Sequence, residues 1–263
     1  MNKTGISWTD YTWNPVSGCS KVSPGCQNCY AEALAHRWGR SFDVTLHPQK
    51  LKDVRKIPSG SKVFVNSMSD LFHENVPFPF IWNVMKAIAS RPDVIFQILT
   101  KRPERIVKYY SYMVNVTGVE YGGVHPTFAI PNNVWLGVSV EMALYKKRIG
   151  ILAALNQNSI HSGHTFVSFE PLLGDIGEVD LSGISWSIIG GESGPHHRPM
   201  NIEWARNLVR QAKEQGVAVW MKQLGGIRPG GNLEDFPEDL RIREFPASLT
   251  KPKKINPKLP RRF

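Results

Sequence analysis

"VIFQILTKRPERIVKYYSYM", residues 94–113, decides the fold class. Residues 94–100 are almost wholly apolar and short, which predicts a strand buried on both faces. The chain then breaks into the charged run "TKRPE" and resumes as a helix, with Pro103 in the first turn, where a missing amide is no loss. A buried strand that runs through a polar turn directly into a helix is the unit of a parallel sheet covered by helices.

The unit recurs along the chain. "KVFVNSMSDLF" gives a strand at 62–66, and "PFIWNVMKAIAS" a helix at 79–90. "VWLGVSVE" gives a strand at 134–140, followed by a helix over 142–156. "TFVSFEPLLG" and "WSIIGGESG" supply strands at 165–169 and 185–189. "NIEWARNLVRQAKEQG" is a helix capped by Asn201, lined by Ile202, Ala205, Leu208, Val209 and Ala212, and stopped at Gly216. "VAVWMKQLGG" is the last strand. Upstream, "ISWTDYTWNP" reads as a short extended segment. Residues 27–39 read as a helix with Ala31, Leu34, Ala35 and Trp38 on one face and Gly39 as its stop, and 115–131 as a long loop or insertion.

Serial βα units leave two architectures, a barrel or part of one, and an open doubly wound sheet. The runs "SMSD", "TKRPE", "SVE", "FEPLLGD", "GGESG" and "KQLGG" put polar or glycine residues just past the carboxyl end of successive strands, the face where barrels build their sites. The expectation is an α/β fold, a partial (β/α)6-type barrel over residues 1–226, then an irregular basic extension over 227–263.

The net charge is +10, but its distribution is uneven. The last thirteen residues carry six Lys or Arg and no acid, leaving 26 basic against 22 acidic residues in the first 250. The tail is therefore the main electrostatic pointer to a polyanionic partner; as a proline-containing end it reads equally as a disordered solubilising segment. No apolar run approaches the ~18 residues of a membrane span. An odd number of thiols and no apolar leader point to a reduced, cytoplasmic setting.

All three cysteines, Cys19, Cys26 and Cys29, fall within "GCSKVSPGCQNC". Three readings are open: small buried hydrophobes; a zinc clip, with His36 as fourth ligand; or a cubane iron–sulfur cluster held by three thiolates, one iron left open for an exogenous ligand. The position of the loop, after a first extended segment and before the first helix, would set it at the carboxyl face of the barrel.

Here the chain resembles the radical SAM superfamily. More closely, "ISWTDYTWNPVSGCSKVSPGCQNCYAE" resembles a phage and bacterial family of three-Cys-motif, radical-SAM-like proteins, with further signposts in "SMSDLF", "LTKRPER", "GVSVE", "SFEPLLG", "GGESG" and "KQLGG". The commonest superfamily spacing is C-x3-C-x2-C. This chain has C-x6-C-x2-C, and Asn28 stands where an aromatic usually precedes the third cysteine; Tyr30 would take its place beside the adenine.

The resemblance implies a [4Fe-4S] cluster on Cys19, Cys26 and Cys29. It also implies S-adenosylmethionine on the open iron, cleaved to a 5′-deoxyadenosyl radical with an electron from an external reductant. Ser67, Ser69 and Asp70 lie where the superfamily contacts the methionine amino group, with Asp70 the best acceptor. Ser139 and Glu141 lie where the ribose hydroxyls are held, Glu141 serving equally as an acid at a helix N-terminus. Gly190 and Gly191 would let the backbone approach adenine or substrate. Glu170, Glu192 and Lys222 are candidate catalytic groups at strand ends. Lys101, Arg102, His73, Arg198 and Gln223 are candidate substrate contacts. The substrate expected is a nucleotide or a base in nucleic acid; the alternative is a zinc-stabilised nucleic-acid-binding protein without catalysis.

Overall fold

The computed structural model describes residues 2–117, 130–157, 160–228 and 230–247. Its strands are β1 (Asn2–Lys3), β2 (Tyr11–Trp13), β3 (Val16–Ser17), β4 (Thr45–Leu46), β5 (Lys62–Val65), β6 (Ile95–Thr100), β7 (Val134–Ser139), β8 (Thr165–Phe169), β9 (Trp186–Gly190) and β10 (Ala218–Gln223). The helices are α1 (Tyr30–Arg37), α2 (Phe78–Ala89), α3 (Pro103–Thr117), α4 (Lys147–Gln157) and α5 (Ile202–Glu214).

The main sheet runs β1-β2-β5-β6-β7-β8-β9-β10. Every neighbouring pair from β2 onward is parallel, and β1 adds an antiparallel edge. Strand order follows chain order without reversal. That is the winding of a barrel; a doubly wound sheet would turn back at a switch point.

The sheet curls around an aromatic layer. Phe64, Trp135, Phe166, Trp186 and Trp220 pack together on one face with Trp8, from the loop before β2. Trp8 stands 6.1 Å from Trp186 and 6.4 Å from Phe166, ring to ring, and the Trp220 indole donates to Ser7 Oγ at 3.1 Å. Side chains thus close what the backbone leaves open between the first and last strands. Gly137 makes room for this packing, because a Cβ there would lie 2.4 Å from the Phe166 ring. The other face carries the larger aliphatic core under the helices.

The pleat sends alternate residues to the same face. Two and four positions above the aromatic layer, the inner face therefore presents Ser139 and Glu141 after Gly137, Ser168 and Glu170 after Phe166, and Lys222 after Trp220. The inner surface grades from an aromatic floor to a polar mouth.

Several boundaries differ from expectation for local reasons. The first helix begins at Tyr30, since Pro24–Cys26 form a separate 3-10 turn. Trp38 caps that helix and is 57% exposed, so it does not join the buried face of Ala31 and Ala35. The helix expected over 142–156 begins at Lys147, after a 3-10 turn over Ala143–Tyr145. Of the expected loop over 115–131, residues 115–117 extend α3, 118–129 lie outside the described residues, as does the basic tail, and Ile130 is buried in the core. Between β8 and β9 the crossover is irregular where the pattern elsewhere places a helix. Among the described residues from 227 to 247 the chain is irregular apart from two short turns, with Phe236 and Leu240 buried and Phe245 stacked on Trp186 and Trp220.

Candidate functional site

The cysteine loop lies across the mouth, and the start of it is set by backbone geometry. Gly18 adopts φ +82, and a Cβ there would collide with the Asp43 carbonyl at 2.1 Å, so only glycine fits. The Gly18 amide donates to the Met68 carbonyl at 3.0 Å, and Ser69 Oγ donates to the Val16 carbonyl at 2.9 Å. Asn66, at φ 61, accepts from the Val16 amide at 3.2 Å; the left-handed region is one that asparagine tolerates. Ser67 exchanges contacts with Asn14, and its carbonyl accepts from the Tyr30 hydroxyl. Ser67, Ser69 and Tyr30 thus tie the loop to the end of β5.

Asp70 is buried beneath the loop with both oxygens engaged. It accepts from the Phe72 amide at 2.9 Å, the Thr100 hydroxyl at 2.7 Å, the Lys101 amide at 3.2 Å and Arg102 Nη1 at 3.1 Å. Asp70 is a clamp between the ends of β5 and β6, and its oxygens are occupied as they stand. Arg102, oriented by Asp70, places Nη1 3.6 Å from Cys19 Sγ and donates Nη2 to the Ser20 carbonyl at 3.1 Å and hydroxyl at 2.9 Å. The buried His73 accepts the Asn75 amide on Nδ1 at 3.0 Å, which leaves Nε2–H to donate to Ser20 Oγ at 2.8 Å. Arg102 and His73, expected as substrate contacts, both hydrogen-bond Ser20 of the loop.

The thiols sit in unequal surroundings. Burial and then the Asp70 carboxylate push the Cys19 thiol up, against the opposing pull of Arg102. Burial also pushes Cys26 up, but the Lys101 ammonium and hydrogen bonds from Val22 and Ser23 outweigh it and leave the thiol below its ordinary value. Lys101 Nζ reaches the Gly25 carbonyl at 3.4 Å. Cys29 occupies the N-cap of α1, and all three thiols are free and partly exposed.

The far side of the loop is held by the β9 end. Asn28 donates to Glu192 Oε2 at 2.9 Å and to the His196 carbonyl at 2.7 Å. Arg198 pairs with Glu192 through Nε at 2.9 Å, then reaches the Pro24 carbonyl at 3.0 Å and Gln27 Oε1 at 3.3 Å. Burial pushes Glu192 up, but its bonds to Arg198 and Asn28 prevail and hold it below the usual carboxylate range. Glu192, expected as a catalytic group, and Arg198, expected as a substrate contact, are both hydrogen-bonded to the loop. Asn28, which in the sequence stands out only as a departure from the usual aromatic, is the residue that ties this side of the loop to the turn after β9.

Glu141 is fully buried, with Oε2 accepting from Arg148 Nη1 at 2.9 Å and Oε1 without a partner. Arg148 also donates to the Ser139 carbonyl at 2.9 Å. A Cβ on Gly25 would stand 3.1 Å from the Glu141 carboxyl carbon, so the loop rests directly on this acid. Glu170 pairs with Lys222 across β8 and β10, and both are partly exposed in the mouth. Gly190 lies beside them, its Cβ position 3.5 Å from the Glu170 carboxyl carbon. Gln223 bridges the Gly191 carbonyl at 2.7 Å and the Gly230 amide at 2.8 Å, a structural use of both groups.

The donor set suits a thiolate-bound cluster in its chemistry: three accessible thiols on one loop, two of them beside cations. Among the described residues no group of three or more His, Cys, Asp or Glu side chains is gathered as for a single metal ion. His36, the fourth ligand a zinc clip requires, is exposed in the last turn of α1, about 10 Å along the axis from Cys29. No described helix is long and apolar enough to cross a membrane.

A family model described as "Protein of unknown function (DUF5131)" matches residues 3–252. No curated protein matches the chain. Two solved structures are similar in fold, "Spore photoproduct lyase complexed with dinucleoside spore photoproduct" at 11% identity and a cysteine-to-serine mutant of spore photoproduct lyase at 12%, each with a TM-score of 0.45. In both, 81% of this chain is covered against 63% of the other, so the chain spans less than two thirds of their length.

Proposed function

Since the chain belongs to the DUF5131 family, whose description assigns no activity, we propose from its own residues that it is a radical SAM enzyme. A [4Fe-4S] cluster on Cys19, Cys26 and Cys29, together with S-adenosylmethionine, would supply a 5′-deoxyadenosyl radical for hydrogen abstraction. The observation that carries the reading is the seating of all three thiols in one loop across the mouth of a singly wound parallel sheet, pinned from the ends of β5, β6 and β9.

The chain's own residues divide the work. Asp70, Arg102, His73 and Ser69 fix the first half of the loop, and Asn28, Glu192 and Arg198 fix the second. Tyr30 and Ser67, joined by a hydrogen bond, would contact the cofactor's adenine and methionine ends, respectively. Glu141 holds one unengaged oxygen toward the loop, suited to accepting from a ribose hydroxyl. Glu170 and Lys222, with Gly190 beside them, are the ionisable pair left facing the mouth for substrate. The aromatic floor beneath excludes water from below.

The substrate class we favour is a nucleotide or a base in nucleic acid. Lys101 and Lys222 near the mouth suit an anionic substrate, and a base within a duplex would leave the stack to reach it.

Anaerobic purification tests the reading. A brown protein absorbing near 400 nm with about four irons per chain, lost in Cys19→Ala, supports it; a colourless protein with one zinc overturns it. Formation of 5′-deoxyadenosine from S-adenosylmethionine and a reductant then tests catalysis. A salt-dependent affinity for nucleic acid that disappears on deleting residues 251–263 would assign the tail to the same substrate.

A further inference from the structure

We propose that the consecutive residues Lys101 and Arg102, just beyond β6, set the reduction potential of the cluster, each acting on a different cysteine. The inference rests on the cluster reading above. Arg102 is not a free surface cation that happens to lie near a thiol. Its guanidinium is buried, aimed by Asp70 and Ser20, and directed at Cys19 Sγ at 3.6 Å. Lys101, one residue earlier on the same turn, reaches the carbonyl of Gly25, the residue bonded to Cys26. Asp70 already pairs with the buried guanidinium, and the contact with Cys19 is made in addition to that pair. The geometry gives Nη1 two acceptors, one carboxylate and one sulfur.

The chemistry of that contact is directional. A ligand sulfur gains electron density when the cluster is reduced, so a donated hydrogen bond or a nearby positive charge favours the reduced form and raises the potential. Cys29 is the N-cap residue of α1, at the positive end of the helix dipole. The loop thus meets a guanidinium at Cys19, an ammonium at Gly25 next to Cys26, and a helix end at Cys29. Two of these come from a two-residue segment that follows a single strand.

Redox titration of the reconstituted protein, followed by the cluster's optical and electron paramagnetic signals, tests this with dithionite as the one-electron reductant. Arg102→Gln and Lys101→Gln should both move the midpoint to more negative potential. Arg102→Gln should show the larger shift, because it also loses the bond to sulfur, and Arg102→Lys a smaller one. Lys101 is partly exposed, so Lys101→Gln keeps the test open if Arg102→Gln does not fold. Wild-type midpoints in cluster-loaded Lys101→Gln and Arg102→Lys overturn the proposal while leaving the cluster reading intact. A wild-type protein that binds no iron overturns the cluster reading and this proposal with it.

Discussion

Asn28 and Glu192, 164 positions apart in the chain, are joined by a 2.9 Å hydrogen bond across the barrel mouth. The amide of Asn28 donates its second proton to the His196 carbonyl, so one side chain fastens the cysteine loop to the turn after β9. Asn28→Ala should lower stability by about 1–2 kcal/mol and raise hydrogen exchange in residues 19–29. Asn28→Asp, nearly the same shape, should do worse, because it sets a second carboxylate against Glu192. Equal denaturation midpoints for the two variants would show that the contact is not electrostatic.

Asp70 and Arg102 form a buried pair on which the first half of the loop depends. Asp70→Asn keeps the shape but leaves a guanidinium without its counter-charge, a change of about 3 kcal/mol in urea denaturation. Adding Arg102→Met to Asp70→Asn should cost less than the two single effects combined, since the charges are then removed together. Strict additivity would count against the pairing.

Gly137 is a packing requirement. Gly137→Ala drives a methyl group into the Phe166 ring and should destabilise by about 1–3 kcal/mol. Phe166→Leu in the same chain should recover part of that loss, although alone it is destabilising. Calorimetric midpoints of the four proteins decide the matter.

His161 is buried ahead of β8, and burial pushes its imidazole down to about 4. Below its unfolded value near 6.5 the unfolded chain takes up a proton that the native state refuses. The stability contributed by the neutral ring is therefore present above that pH and lost as pH falls toward 4. Between pH 7 and 5 the loss should be about 2 kcal/mol, and His161→Gln should flatten this part of the profile. An identical pH dependence in both proteins would assign the acid sensitivity elsewhere.

The parallel strands and most helices were legible because their apolar patterns are local. "VIFQILT" and "NIEWARNLVRQAKEQG" carry their periodicity and punctuation within one segment, and Asn201 caps α5 through the Glu203 amide as its side chain suggests. The inward aromatic layer was not legible: Trp8, Phe64, Trp135, Phe166, Trp186 and Trp220 come from six separate segments, and only the curl of the sheet brings them together. The site divided in the same way. The thiols announce themselves by spacing. Whether Asp70, Arg102, His73, Glu192 and Arg198 serve a ligand or a loop depends on which partners the fold sets within hydrogen-bonding reach, and those partners lie up to 174 residues away.

The passage from aromatic floor to charged rim takes place over about four residues of strand, roughly 13 Å. That is a dielectric gradient built on one face of one sheet. A charge arising in the mouth faces water above and almost none below. Its field is therefore answered chiefly by the fixed groups of the rim, where two charges 4 Å apart interact by about 4 kcal/mol, against about 1 in water. Over the indoles, the few ionisable side chains at the strand ends act as the local solvent.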